Sequence, residues 1–211
     1  MKYLYNPPLI IKKTFSSFKW NSSIGKILLT FDDGPSAEAT ETILRVLNEY
    51  KIKGTFFCVG YNIKLFPELT KMILSEGHLI GNHTFNHKNL TQLSFTESLQ
   101  EINSFTVLLR DKFNYEVKYF RPPHGKFKFN TPSLIRKCGL ENVMWSLLTY
   151  DYKNDIKVIK LAIDKYLRNN SIVVLHDSIK SMNIVSDSIN MILETASKKG
   201  FEIGEPQECL K

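Results

Sequence analysis

His83-Thr84-Phe85-Asn86-His87 sets two imidazoles four residues apart. One helical turn would place them on the same face, where they can share a metal ion. Alone, the pair also fits two unrelated histidines. Thr30-Phe31-Asp32-Asp33-Gly34-Pro35 adds two adjacent carboxylates where an apolar run meets a Gly-Pro turn. Successive residues leave an extended chain in opposite directions, and a turn can rotate one of them toward a metal. One carboxylate then serves as a ligand and its neighbour as a base. An isolated acidic turn would only support the backbone. Off a buried strand, in a chain that also carries the histidine pair, the chemical reading is the better one.

Arg121-Pro122-Pro123-His124-Gly125 is a stiff loop whose two prolines lack N–H groups. The next backbone donors, on His124 and Gly125, are suited to an oxyanion. Arg121 offers a planar fork for a carboxylate, with Asp32 its natural partner. Ile172-Val173-Val174-Leu175-His176-Asp177 ends an apolar run on a histidine. That histidine can act as a general acid if a carboxylate holds it protonated. Asp151 and Asp177 compete for that place. Asp151 is preferred, because neighbours on a strand face opposite sides. His78 follows Glu76-Gly77 at a predicted helix end and reads as a surface or capping residue.

Short apolar runs alternate with helical stretches along the chain. Strands are expected at 26–31, 55–59, 79–80, 119–120, 142–148 and 171–175, with a last one at 201–203. Helices are expected at 39–50, 65–74, 94–113, 155–167 and 182–198. Ser94 and Glu97 have capping-box spacing, Gly77 suits a helix end, and Thr131-Pro132 reads as an N-cap followed by proline. Such alternation implies parallel βα units in a barrel or a doubly wound sheet. Asp32, His83, Arg121, Asp151 and His176 all fall at or just after strand ends, which in a βα barrel converge on one rim.

Taken in chain order, Asp32-Asp33, His83-x-x-x-His87, Arg121-Pro122-Pro123-x-Gly125, Trp145 through Asp151, and Leu175-His176 resemble the motifs of the polysaccharide deacetylases with a NodB-homology domain, carbohydrate esterase family four. The resemblance runs from about Lys26 to Ile203. It implies a distorted, irregular (β/α) barrel and one divalent ion, zinc or else cobalt, nickel or manganese. It implies that Asp33, His83 and His87 are ligands and Asp32 the catalytic base. Arg121 would position Asp32, Asp151 would tune His176, and Leu175 would line a pocket for the acetyl methyl group. The chain has His124 where the family more often has tyrosine, and Tyr152 where it usually has tryptophan. These two residues bear on the oxyanion and sugar contacts. The implied reaction is hydrolysis of the N-acetyl group of a GlcNAc-type sugar, releasing acetate. The alternatives are a metal-dependent amidase with a non-sugar substrate, and an inactive sugar-binding protein of the same fold.

The chain has 211 residues, 43% hydrophobic and 23% charged, and a net charge of +7. That fits one domain, read as 26–211, preceded by a segment 1–25 that packs on it. The basic balance is spread along the chain without a nucleic-acid motif, so no nucleic-acid partner is expected. The partner is an N-acetylated glycan, and the protein is expected to be a monomer. Cys58, Cys138 and Cys209 are odd in number and suit no disulfide framework. The N-terminal apolar run is too short for a signal or a span, so a cytoplasmic location is expected. Leu9-Ile10-Ile11, followed by Lys12 and Lys13, leaves a peripheral membrane contact as the second reading for that segment.

Overall fold

The structure, a computed structural model, describes residues 3–211; Met1 and Lys2 of the N-terminal segment lie outside the described residues. Helices α1 (Leu9–Thr14), α2 (Ala37–Glu49), α3 (Gly60–Leu65), α4 (Pro67–Ser75) and α5 (Phe95–Phe113) are interleaved with strands β1 (Leu28–Asp32), β2 (Thr55–Cys58) and β3 (Leu79–Asn82). The second half holds β4 (Tyr119–Phe120), α6 (Thr131–Lys137), β5 (Glu141–Asn142), β6 (Leu147–Leu148), α7 (Ile156–Tyr166), β7 (Ile172–His176), α8 (Val185–Lys198) and α9 (Pro206–Cys209).

The strands form one seven-stranded sheet in the order β5-β4-β3-β2-β1-β7-β6, with every pairing parallel. Its two edge strands, β5 and β6, are joined by only four residues, 143–146. Seven flat strands would put the edges about 29 Å apart, at ~4.8 Å per gap. The five chain steps from Asn142 to Leu147 reach at most about 18 Å. The sheet must therefore curl, and the result is an open, distorted barrel.

The gap is filled by the chain before β1. Lys19 bridges Val143, and Asn21 bridges Ser171 across the opening. Phe15, Phe18 and Trp20 pack with Met144 as a small core of their own. Along β1, Leu29 and Phe31 enter the main core beneath the helices, while Leu28 packs inside the barrel with Phe57 and Ile172. This alternation puts Thr30 and Asp32 on the inner face.

Several local expectations differ. Pro67 breaks the helix expected at 65–74 and begins α4, leaving α3 as a separate turn. The run expected as one strand at 142–148 is split, because its ends pair with opposite edges of the sheet. Helix α6 begins at Thr131, with Asn130 as its cap, because Thr131 Oγ1 instead accepts the Lys128 N–H at 2.9 Å. His78 is buried, not a surface residue: its Nδ1 accepts the Gly54 N–H at 3.1 Å, and burial pushes its pKa down to about 4. Among the described residues, no helix is long and apolar enough to cross a membrane.

Candidate active site

The ends of β1, β3, β4, β6 and β7 bring the polar residues to one rim. Asp32 closes β1 and lies in register with His176 on β7. Asp33 then takes a left-handed conformation, φ 80°, which turns its carboxylate away from that of Asp32. The turn is tied down by Asn62 Nδ2, which donates to the Asp33 carbonyl at 2.7 Å.

His83 and His87 do not share a helical turn. Thr84 (φ 65°) and His87 (φ 56°) are left-handed, so the segment is a loop. Asn82 Oδ1 accepts the Thr84 N–H at 2.8 Å, and Asn82 Nδ2 donates to Ile102 O of α5. Glu101, on the same helix, accepts both the Asn86 backbone N–H (2.7 Å) and Asn86 Nδ2 (2.9 Å). Burial would raise the Glu101 pKa, but these bonds and Lys88 lower it on balance. The loop folds back so that both imidazoles meet Asp33, doing by tertiary contacts what the sequence assigned to a helix.

This cluster fits a divalent ion. His83 Nδ1 lies 2.7 Å from Arg121 O, and a carbonyl only accepts, so Nδ1 carries the proton. In the neutral ring its Nε2 lone pair then faces Asp33 Oδ1 at 3.5 Å. His87 Nε2 lies 3.0 Å from the same oxygen and is buried without a hydrogen-bond partner. One atom from each residue lies within 4.8 Å of the others. Lone pairs so close repel each other unless a cation joins them. Two imidazoles and a carboxylate suit a zinc-type ion. With protons in place of an ion, burial would raise the Asp33 pKa, but hydrogen bonds from the two histidines would outweigh it and hold the carboxyl well below the usual range.

Arg121 is fully buried beneath Asp32. Its Nη1 donates to Asp32 Oδ1 (2.6 Å) and Thr30 Oγ1 (2.8 Å), its Nε to Val143 O (2.9 Å), and its Nη2 to Met144 O (2.8 Å). The guanidinium also lies 4.1 Å above the Phe57 ring. Four of the five N–H groups of the fork are occupied, so the orientation of Asp32 is set from below.

His176 Nδ1 donates to Asp151 Oδ1 at 2.7 Å, and its backbone N–H donates to Asp151 Oδ2 at 2.7 Å. Burial favours the neutral ring, yet Asp151 outweighs it and pushes the pKa up to about 9. Asp177 points the other way. It accepts from Ser36 Oγ (2.9 Å) and Thr40 Oγ1 (2.7 Å), and burial raises its pKa to about 7. Tyr152 stands edge-on to the His176 ring, 4.7 Å between centroids.

His124 is left-handed, φ 58°, and its ring lies 4.6 Å from that of His87. Burial first, then His87 and His83, lower its pKa. Gly125 spends its N–H on Pro122 O at 3.0 Å, so of the two expected donors only that of His124 is not committed to this turn. Leu175 is a correction. It sits fully buried in the helix-side core, because strand alternation turns it away from His176; Val174 shares the inner face.

Several supporting residues escaped the sequence reading, among them Asn62, Asn82, Glu101, Ser36 and Thr40. Glu101 could have been found as a carboxylate in the buried stripe Ser98, Glu101, Ile102, Phe105, Leu109 of α5. Ser36 and Thr40 carry no such signal, since their partner is 137 or more residues away.

A sequence model of the family described as polysaccharide deacetylase matches residues 20–143. A peptidoglycan-N-acetylglucosamine deacetylase of Bacillus cereus is 31% identical over 188 residues, covering 88% of each chain. Chitin deacetylase 1 of Saccharomyces cerevisiae is 38% identical over 132 residues, covering 63% of this chain and 42% of that one. Some curated relatives are longer: the chain spans 52% of a second Bacillus cereus deacetylase. A peptidoglycan N-acetylglucosamine deacetylase solved with 4-naphthalen-1-yl-N-oxidanyl-benzamide has a TM-score of 0.87 at 27% identity, covering 96% of both chains.

Proposed function

Because this chain belongs to the polysaccharide deacetylase family, we propose that it hydrolyses the N-acetyl group of a GlcNAc-type sugar in a glycan, assisted by a divalent ion held by Asp33, His83 and His87. The observation that carries this reading is the pairing of two differently supported proton carriers on neighbouring strand ends. Asp32 is held by a buried cation, and His176 by a buried anion. That is the division of labour that amide hydrolysis needs.

A bound divalent ion would polarise the acetyl carbonyl and ease ionisation of the attacking water. Asp32 accepts the proton that water loses as its oxygen bonds to the carbonyl carbon. Arg121 keeps the receiving oxygen in place. The His124 N–H is offered to the oxyanion that develops. His176 gives its Nε2 proton to the sugar nitrogen as the C–N bond breaks, so the amine leaves neutral. Acetate and a free amino sugar result. Tyr152, packed edge-on against His176, would meet the sugar ring.

The names of the relatives support an N-acetylated glycan of the peptidoglycan or chitin type. The test is acetate release from such glycans by protein loaded with zinc, cobalt, nickel or manganese in turn. His176→Ala is expected to lose far more activity on acetamides than on an activated acetate ester, whose leaving group needs no proton. Equal losses on both substrates in a folded, metal-loaded variant would remove the general acid from this scheme.

A further inference from the structure

The rim of the site carries apolar side chains that nothing in the fold covers. Among the described residues, the four most exposed large apolar side chains are Phe129 (84%), Ile179 (81%), Leu9 (74%) and Ile10 (72%). All four belong to segments on the side of the barrel where the strands end. Phe129 lies in the loop after β4, and Ile179 in the loop after β7. Leu9 and Ile10 lie on α1, in the segment that crosses the same mouth. At one end of that segment the Tyr5 carbonyl accepts the Leu148 N–H, and the Leu4 N–H donates to Tyr150 Oη. At the other end Phe15 packs on Phe127 and Phe129, with centroids 4.7 and 5.6 Å away. Helix α1 has no buried residue at all, so packing on the domain does not account for its three consecutive apolar side chains.

The charge of these segments is one-sided. Residues 3–18, 124–133 and 178–186 contain Lys12, Lys13, Lys126, Lys128 and Lys180, and no Asp or Glu. Apolar tips on segments whose own charged side chains are all lysines, with the exposed Asp187 just beyond the last of them, match the interface of an anionic bilayer, where acyl chains lie beneath negative headgroups. An acidic soluble polymer would use the lysines and leave the four apolar tips in water.

We propose that this rim is a docking surface for an anionic lipid bilayer, with Leu9, Ile10, Phe129 and Ile179 inserted at the headgroup level and the five lysines on the headgroups. Docked this way, the protein turns its site toward the membrane. Resting on the deacetylase reading, the substrate class is then a glycan held at the membrane surface, such as one linked to lipid.

Co-sedimentation with vesicles tests the surface without any turnover. The full chain is expected to bind phosphatidylglycerol–phosphatidylcholine vesicles at least tenfold better than pure phosphatidylcholine. Lys12→Gln/Lys13→Gln should weaken binding by about fivefold per lysine, and salt should weaken it likewise. Leu9→Ser/Ile10→Ser and Phe129→Ser should each weaken binding by tenfold or more at any salt. These positions are exposed, and acetate release from a soluble chitooligosaccharide should be unchanged in every variant. Absence of binding to anionic vesicles, or undiminished binding by the apolar variants, overturns the proposal. So does binding to a soluble polyanion with none to vesicles. Vesicle binding without acetate release would leave the docking surface standing and refute the deacetylase reading alone.

Discussion

The Asp151 carboxylate grips His176 twice, through ring Nδ1 and backbone N–H, each at 2.7 Å. The imidazolium is favoured over neutral imidazole, with its pKa near 9. Activity should therefore persist through neutral pH and fall on an alkaline limb near that value. Asp151→Asn should move the limb down toward ~6.5, the value of an unassisted histidine. Metal content should be unchanged. A pH–rate profile of both proteins checks this.

The same pair makes a statement about folding. The folded pKa of His176 lies above its unfolded value of ~6.5, so its contribution is complete below that pH. It is lost as pH rises through about 9. Denaturant unfolding between pH 6 and pH 9.5 should show wild type losing stability over this window. Asp151→Asn should show a smaller loss.

The Asp33 carboxylate with the two imidazoles should hold about one divalent ion per chain. His83→Ala/His87→Ala should abolish it, read by elemental analysis after gentle purification. Asp32→Asn should retain the ion and lose activity by ~10²-fold or more, because its carboxylate is bound to Arg121 instead.

Glu101 fixes the loop that carries both histidines. Glu101→Ala should weaken metal affinity by about 10–100-fold, as removal of a supporting hydrogen-bond partner typically does. Glu101→Gln keeps one acceptor for the Asn86 N–H and should recover part of it. Competition with a chromophoric chelator measures both.

Gly34 is pressed against Asp177. A Cβ there would stand 2.0 Å from Asp177 Oδ2 and 2.9 Å from its Cβ. Gly34→Ala should cost about 1–3 kcal/mol as the turn shifts, visible as a melting point lower by several degrees. It should also lower activity, because Asp32 and Asp33 move with the turn.

The order of chemistry along the chain was legible because parallel βα units send every strand end to one side. Asp32, His83, Arg121, Asp151 and His176 could be assigned to a shared rim from local patterns alone. The preference for Asp151 over Asp177 rested on the same alternation, and the structure brings Asp151 to His176. Applied to Leu175, that rule would have turned it into the core instead of the acetyl pocket.

What local patterns could not carry were the features set by distant contacts. The His83–His87 loop resembles a helical turn in spacing, but its left-handed residues are stabilised by Asn82 and by Glu101 on another element. The burial of His78 depends on Gly54, 24 residues before it. The split of 142–148 into opposite sheet edges, and the N-terminal segment that fills the gap, follow from closure of the whole sheet. Sequence periodicity reports which face of an element is apolar. Which element meets that face, and how a loop bends to reach it, is decided only when residues far apart in the chain are packed together.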